Sequence, residues 1–288
     1  MDMVALRASL KVFKNAFEHA ILTGEFGGNS YDNGAKAKEA LIRSQRLIMK
    51  IHERFKQDIV DMSLSLGRNI VPYPAIGQTS PELKFTGLLK AKDQDLVFLF
   101  DDDGLTPETV NEGMRIGEID QVGKEIAERS LVVGIRSSLS SVSNNFDTHM
   151  ERLFGEAVNL RQRLPELVMG EVFLIPVYEY LPGPMINNQV EFSMRPVNIS
   201  KWIKTLKMFS GDRDVDNTKQ THIYERTCLL LVDFRQNPPY LYTSKEELII
   251  DGLLDRHSDV DFDSLSPLNF DLDILEIHRD RHEPPGWW

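Results

Sequence analysis

Apolar residues recur at helical spacing over residues 4–22 and again from 34 to about 66, where Ala37, Leu41, Leu47, Ile48, Ile51, Phe55, Ile59 and Met62 line one side. The chain therefore opens on two helices, joined by the Gly/Asn-rich loop TGEFGGNSYDNG. The three prolines of RNIVPYPAIGQTSPELKF end the second helix and lead into extended chain. Strand-like runs follow: LKFTGLLK, DLVFLF and LVVGIRS, with an Asp-rich turn (DDDG) and a surface insertion between the last two. A helix over about 147–164 comes next, then the apolar strand LVMGEVFLIPVYEY, stopped by LPGP. Beyond it, SKWIKTLKMF reads as a short basic helix or strand, GDRDVDNTKQ as a loop and TCLLLVDF as a buried strand. SKEELIIDGLL carries a capping box, with Ser244 as N-cap and Glu247 three residues on. The terminal HEPPGWW reads as poorly ordered unless its tryptophans dock.

The 288 residues, 41% hydrophobic and 27% charged, suffice for a sizeable core. The one cysteine, Cys228, sits in an apolar run, which excludes an intrachain disulfide and suits a reducing compartment. With an amphipathic, acid-bearing start and no apolar run near 18 residues, the expectation is a cytoplasmic protein with no membrane span. A net charge of −11 argues against diffuse attraction to nucleic acid and leaves room only for a local basic groove.

The chemistry gathers around KDQDLVFLF and LVVGIRS. Asp95 stands at the mouth of the first strand, and if the two strands form an antiparallel pair, the start of one lies beside the end of the other. Asp95 then faces Arg136. An acid from the following helix completes a set that could hold a divalent metal against a phosphate: hard oxygen ligands, plus a cation to offset developing charge. On that helix Glu151 and Glu156 flank opposite borders of the apolar face, so one of them faces the site. Between strand and helix runs SSLSSVSNN, whose Ser137, Ser140, Ser141, Asn144 and Asn145 suit contacts to phosphate oxygens and base edges, and equally an ordinary loop with Asn145 or Asp147 as N-cap. Lys201 and Lys204, beside Trp202, read either as backbone-phosphate contacts or as exposed lysines around a core tryptophan. Glu171 and Glu179 bound an apolar strand and could neighbour the site, though acids alternating along a strand are usually end or edge residues. No phosphate loop, dinucleotide fingerprint, nucleophile elbow or Cys/His zinc spacing occurs.

Asp95, the strand LVVGIRS, the helix FDTHMERLFGEAVNL and the strand VMGEVFLIP together resemble the core of the PD-(D/E)XK nucleases, in particular restriction endonucleases whose second acid has moved to the following helix. Gly77-Gln78-Thr79-Ser80 before Glu82 resembles the short motif that precedes the first acid there, and Gly155-Glu156-Ala157-Val158-Asn159-Leu160 is similar to the run carrying the migrated acid. The resemblance covers about a third of the chain and departs at two positions: Gly134 and Arg136 stand where an acid and a lysine belong. Arginine stays protonated and grips phosphate with a fork, whereas lysine approaches as a compact charge. The resemblance implies an α/β fold with a small mixed central β-sheet flanked by helices, restriction-endonuclease-like. An N-terminal helical pair (1–70) packs on a nuclease-like core with C-terminal elaboration (71–288), in one domain overall. It implies a Mg²⁺-dependent DNA endonuclease of restriction or phage-defence type, with Mn²⁺ able to substitute and double-stranded DNA as substrate. A homodimer or a partner defence protein would complete it. Asp95 and Glu156 would bind metal, Glu82 support them, Arg136 steady the phosphate, and Glu151 stand as the other helix acid. The alternatives are an inactive nuclease-fold subunit that binds DNA or assembles with a partner effector, and an interaction protein with no nucleic-acid role.

Overall fold

A computed structural model of the chain describes residues 1–100, 104–211 and 219–283. The turn at 101–103, residues 212–218 of the expected loop and the terminal PPGWW lie outside them.

Helix α1 (Met3–Thr23) begins where the Asp2 carboxylate accepts from the Val4 and Ala5 amides, both at 3.0 Å, and ends at Gly24, whose φ of 69° is the left-handed cap that glycine takes without strain. The single helix expected over 34–66 is two: α2 (Gly34–Arg43) and α3 (Met49–Ser65). At the break the Ser44 hydroxyl donates to the Leu41 carbonyl and accepts from the Arg46 amide, and Gln45 takes a φ of 58°. Local side-chain bonds compete with the helical ladder there, and the turn they make carries Leu47 into the core, 4% exposed.

Six strands form the main sheet, and their spatial order is their chain order: β1 (Ile70–Tyr73), β2 (Leu96–Phe100), β3 (Leu131–Ser137), β4 (Val168–Pro176), β5 (Arg226–Asp233) and β6 (Tyr240–Tyr242). β3, β4 and β5 are parallel and the outer pairings antiparallel, so the sheet is mixed, as the sequence predicts. β1 accommodates Pro72 because it is an edge strand, where a missing amide costs no ladder bond. LKFTGLLK does not join this sheet; Lys84–Thr86 pairs with Ala91–Asp93 in a separate hairpin.

Parallel strands require crossovers, and these are helices α4 (Phe146–Arg161), between β3 and β4, and α5 (Ile199–Phe209), between β4 and β5. Alternation along the strands divides the core. Val97, Val132, Met169, Phe173 and Leu229 face α4 and α5, whose Leu153, Ala157, Leu160, Trp202 and Leu206 complete that layer. Phe98, Val133, Val172 and Leu230 face the opposite layer, built from α1, α2, α3 and the C-terminal helix α6 (Phe270–His282). A sheet between two helical layers leaves one exposed end of β2, β3 and β4 where charged residues can gather. Among the described residues, no helix is long and apolar enough to cross a membrane.

Candidate active site

The antiparallel register of β2 and β3 pairs Leu96 with Val133, and continuing it by one residue sets Asp95 opposite Gly134. Asp95 Oδ2 accepts from the Ile135 amide at 2.8 Å, so the carboxylate caps the point at which the ladder ends. Two residues beyond Gly134, on the same face, Arg136 projects towards α4. Its Nε donates to Glu171 Oε1 at 2.5 Å and its Nη2 to Glu156 Oε2. Glu156 Oε2 also meets Lys92 Nζ at 2.6 Å. Lys92 belongs to the small hairpin, which α4 fastens through Asn159: its Oδ1 accepts from the Leu89 and Lys90 amides and its Nδ2 donates to the Lys90 carbonyl. Gly87 permits this approach, since a Cβ there would stand 2.3 Å from Asn159 Nδ2. The GEAVNL run thus serves twice, Glu156 holding two cations and Asn159 holding the hairpin that brings one of them.

A pocket of about 310 Å³ opens over this cluster, with Lys92, Asp95, Arg136, Ser137, His149 and Arg152 on its polar walls. Ile42, Leu47 and Ile48, from the turn between α2 and α3, form the apolar side. A second, larger groove of about 670 Å³ lies on the other side of the same turn, between Arg46, Lys50 and Arg54 and the Gly77-Thr79 stretch. That stretch is pinned to α3: Glu53 Oε1 accepts from the Gly77 amide at 2.7 Å, and buried Lys56 donates to the Ala75 and Gln78 carbonyls at 2.9 Å each.

Charge is unevenly shared within the cluster. Burial pushes the Glu156 carboxyl up, but the Arg136 and Lys92 charges outweigh it and hold Glu156 below the usual range. Glu171, 2% exposed, is pushed up by burial to about 7, with Arg136 opposing and the Asp95 and Glu156 charges adding to the rise. Burial and the Arg136 and Arg152 charges lower His149. A carboxyl whose pKa is higher folded than unfolded keeps its proton in the folded state while the unfolded chain has lost it, so its contribution to stability falls as pH rises from about 4.5 to about 7. Thermal melts of wild type and Glu171→Gln at pH 5 and pH 8 should show this: wild type loses stability relative to the variant on going to pH 8. An unchanged difference would place Glu171 outside the cluster's charge balance.

The structure brings together Asp95, Arg136, Glu156 and Ser137 from the residues expected from the sequence. Glu82 stands half-buried upstream, raised by burial and then by the charges of Asp95 and Asp93, which places it near the first acid. Glu151 is exposed on α4 and does not line the pocket. Ser140, Ser141, Asn144 and Asn145 lie along the following loop, outside the pocket wall; Asn145 is the N-cap residue of α4 but makes no side-chain cap bond. Lys201 Nζ sits 3.7 Å from the Phe146 ring centre and 3.6 Å from Asp147, and Lys204 pairs with Asp259 at 2.7 Å, so both are partnered within α5's own surroundings. Sequence reasoning missed Lys92 and Arg152. Arg152 was readable one helical turn before Glu156, but Lys92 required the separate hairpin. No protein-family model, curated protein or solved structure matches the chain. The class defined by fold and site is therefore an α/β protein with a mixed six-stranded sheet and a carboxylate–cation cluster at the end of its middle strands.

Proposed function

We propose that the protein is a Mg²⁺-dependent phosphodiester hydrolase acting on double-stranded DNA, an endonuclease of the restriction or defence kind. The observation that supports it most is the convergence of Asp95, Arg136 and Lys92 on one pocket from two strands and a hairpin, with Glu156 of α4 ion-paired to both cations. Lys92 supplies the compact cation that the strand lacks at Arg136. Among the described residues no three His, Cys, Asp or Glu side chains form a ready metal cage. Mg²⁺ does not need one: it keeps several waters and takes one or two carboxylates besides the substrate phosphate. Asp95 fits such a ligand, since the Ile135 amide engages only Oδ2 and leaves Oδ1. When bound, the metal would polarise the phosphate and lower the pKa of a coordinated water. Arg136 and Lys92 offset charge on the phosphate, and Glu156, already engaged by both, holds them in place. His149 stands on the pocket wall, where burial and the Arg136 and Arg152 charges favour its neutral form.

Mixed-sequence duplex DNA incubated at low salt should be cut with Mg²⁺ or Mn²⁺ and left whole with a chelator. Intact DNA under every metal condition, with salt-sensitive binding retained, would favour the non-catalytic DNA-binding subunit. That reading has its own support: Arg136 is clamped by two carboxylates. Absence of both cutting and binding would end both readings.

Arg46 and Lys50 are exposed on the larger groove beside the pocket, a place where a backbone could run despite the chain's net charge. Arg46→Ala with Lys50→Ala should weaken DNA binding at every sequence and reduce the slope of log affinity against log salt by about 2. An unchanged slope in a binding titration across salt concentrations would exclude this route.

A further inference from the structure

Gly134 has an acid on each side. Asp95 faces it across the antiparallel pair, and Glu171 is its registered partner across the parallel pair of β3 and β4. Residues in register point to the same face of a sheet, so the two carboxylates rise from strands about 10 Å apart, two strand spacings, over a residue with no side chain. A Cβ on Gly134 would lie 2.3 Å from Glu171 Oε2. The Glu171 carboxylate therefore occupies the volume a side chain at 134 would fill. Its Oε1 is held by Arg136 Nε at 2.5 Å, while no described residue gives Oε2 a hydrogen bond. Beneath the same strand end, His52 is 4% exposed, lies against the Ile135 backbone and within the field of Asp95, and among the described residues its Nε2 has no hydrogen-bond partner. A buried nitrogen in that condition costs stability unless something polar meets it.

Resting on the nuclease reading above, we infer that Glu171 is the second metal-ligating acid: it reaches from β4 across the bare backbone of Gly134 and, with Asp95, binds a divalent cation. The acid has been relocated to the neighbouring strand, and Gly134 is the space that admits it. Glu156, with Lys92 and Arg136 already on one oxygen, holds the cations. The two ligands are hard oxygens, which selects Mg²⁺ or Mn²⁺ over softer metals. Asp95 Oδ1 and Glu171 Oε2 are the atoms left for it.

The test reads metal binding separately from cutting. Mn²⁺ affinity, measured by electron paramagnetic resonance of the free ion, is compared for wild type, Glu171→Gln, Gly134→Asp and the pair Glu171→Ala with Gly134→Asp. Glu171→Gln keeps the shape and should weaken Mn²⁺ binding about tenfold or more. Gly134→Asp alone collides with the Glu171 carboxylate and should lose stability in a thermal melt. The pair removes the collision and returns an acid to the middle strand, so it should regain most of the Mn²⁺ affinity that Glu171→Gln loses. A Glu171 that merely partners Arg136 would give no such recovery. Glu171→Gln that binds Mn²⁺ as tightly as wild type overturns the assignment while leaving the nuclease reading intact, provided wild type binds and cuts. A folded pair that stays as weak as Glu171→Gln overturns it as well. Wild type that neither binds Mn²⁺ nor cuts DNA ends both.

Discussion

Asp95→Ala should abolish metal-dependent cutting, by about 10³-fold or more, while the protein stays folded. The two halves of that expectation have different causes. A metal ligand contributes several kcal/mol to stabilising charge in the transition state, and each 1.36 kcal/mol is tenfold in rate. The structural loss is one hydrogen bond, from the Ile135 amide at 2.8 Å, at the frayed end of a strand pair where water can replace it, about 1 kcal/mol. Part of that is returned because Asp95 also repels Glu171, raising its pKa, and the variant lifts this repulsion. Plasmid cleavage over a range of Mg²⁺ concentrations, with a thermal melt beside it, separates the two. Wild-type cutting by Asp95→Ala would remove Asp95 from the chemistry. Collapse of the fold would mark it as structural.

That Asp95 and Arg136 would come to one strand end was legible in the sequence, because antiparallel pairing leaves little freedom: once DLVFLF and LVVGIRS are strands, the mouth of one must lie at the end of the other, although the register sets Gly134 and not Arg136 opposite Asp95. The α/β architecture and the sheet's mixed character were legible for the same reason, since parallel strands announce themselves by the helices between them. Glu171's position was not. Its place depends on the parallel register that sets it beside Gly134, and register between parallel strands is fixed by packing across the whole sheet, not by a local turn. An acid within an apolar strand reads as an end residue until its neighbour is known to have no side chain. The break between α2 and α3 was hidden too. Residues 44–48 contain neither Gly nor Pro, and the apolar spacing runs through them, so only the Ser44 bonds and the burial of Leu47 reveal a turn. That turn forms a wall of the pocket, which is why the N-terminal helices read as packing from sequence and prove to line the site.

The largest expected effect on stability lies away from the chemistry, at Glu225. This residue immediately before β5 is fully buried and receives three donors: the Met169 amide at 2.6 Å, Arg161 Nη2 at 2.6 Å and Arg281 Nη2 at 2.8 Å. Arg161 comes from α4 on one face of the sheet and Arg281 from α6 on the other, so one carboxylate joins both helical layers to the start of β4. A buried ion pair adds little net stability when intact, because desolvation offsets attraction, but removing one partner leaves charge in the interior with nothing to answer it. Here two guanidiniums would be left facing each other; burial already lowers Arg161, and the Arg281 charge adds to that against Glu225. Glu225→Ala should therefore cost about 3–5 kcal/mol, lowering Tm by about 10 °C at 2–4 °C per kcal/mol for a chain of this size. Combining it with Arg161→Met should recover part of the loss, since the buried charge goes with its partner. Urea unfolding monitored by tryptophan fluorescence gives both values, and a loss below about 1 kcal/mol for the single variant would show that water reaches the arginines. Because β4 carries Glu171 and α4 carries Glu156, loosening this junction should also reduce cutting without touching the pocket, through misplacement of the carboxylates and not through loss of one.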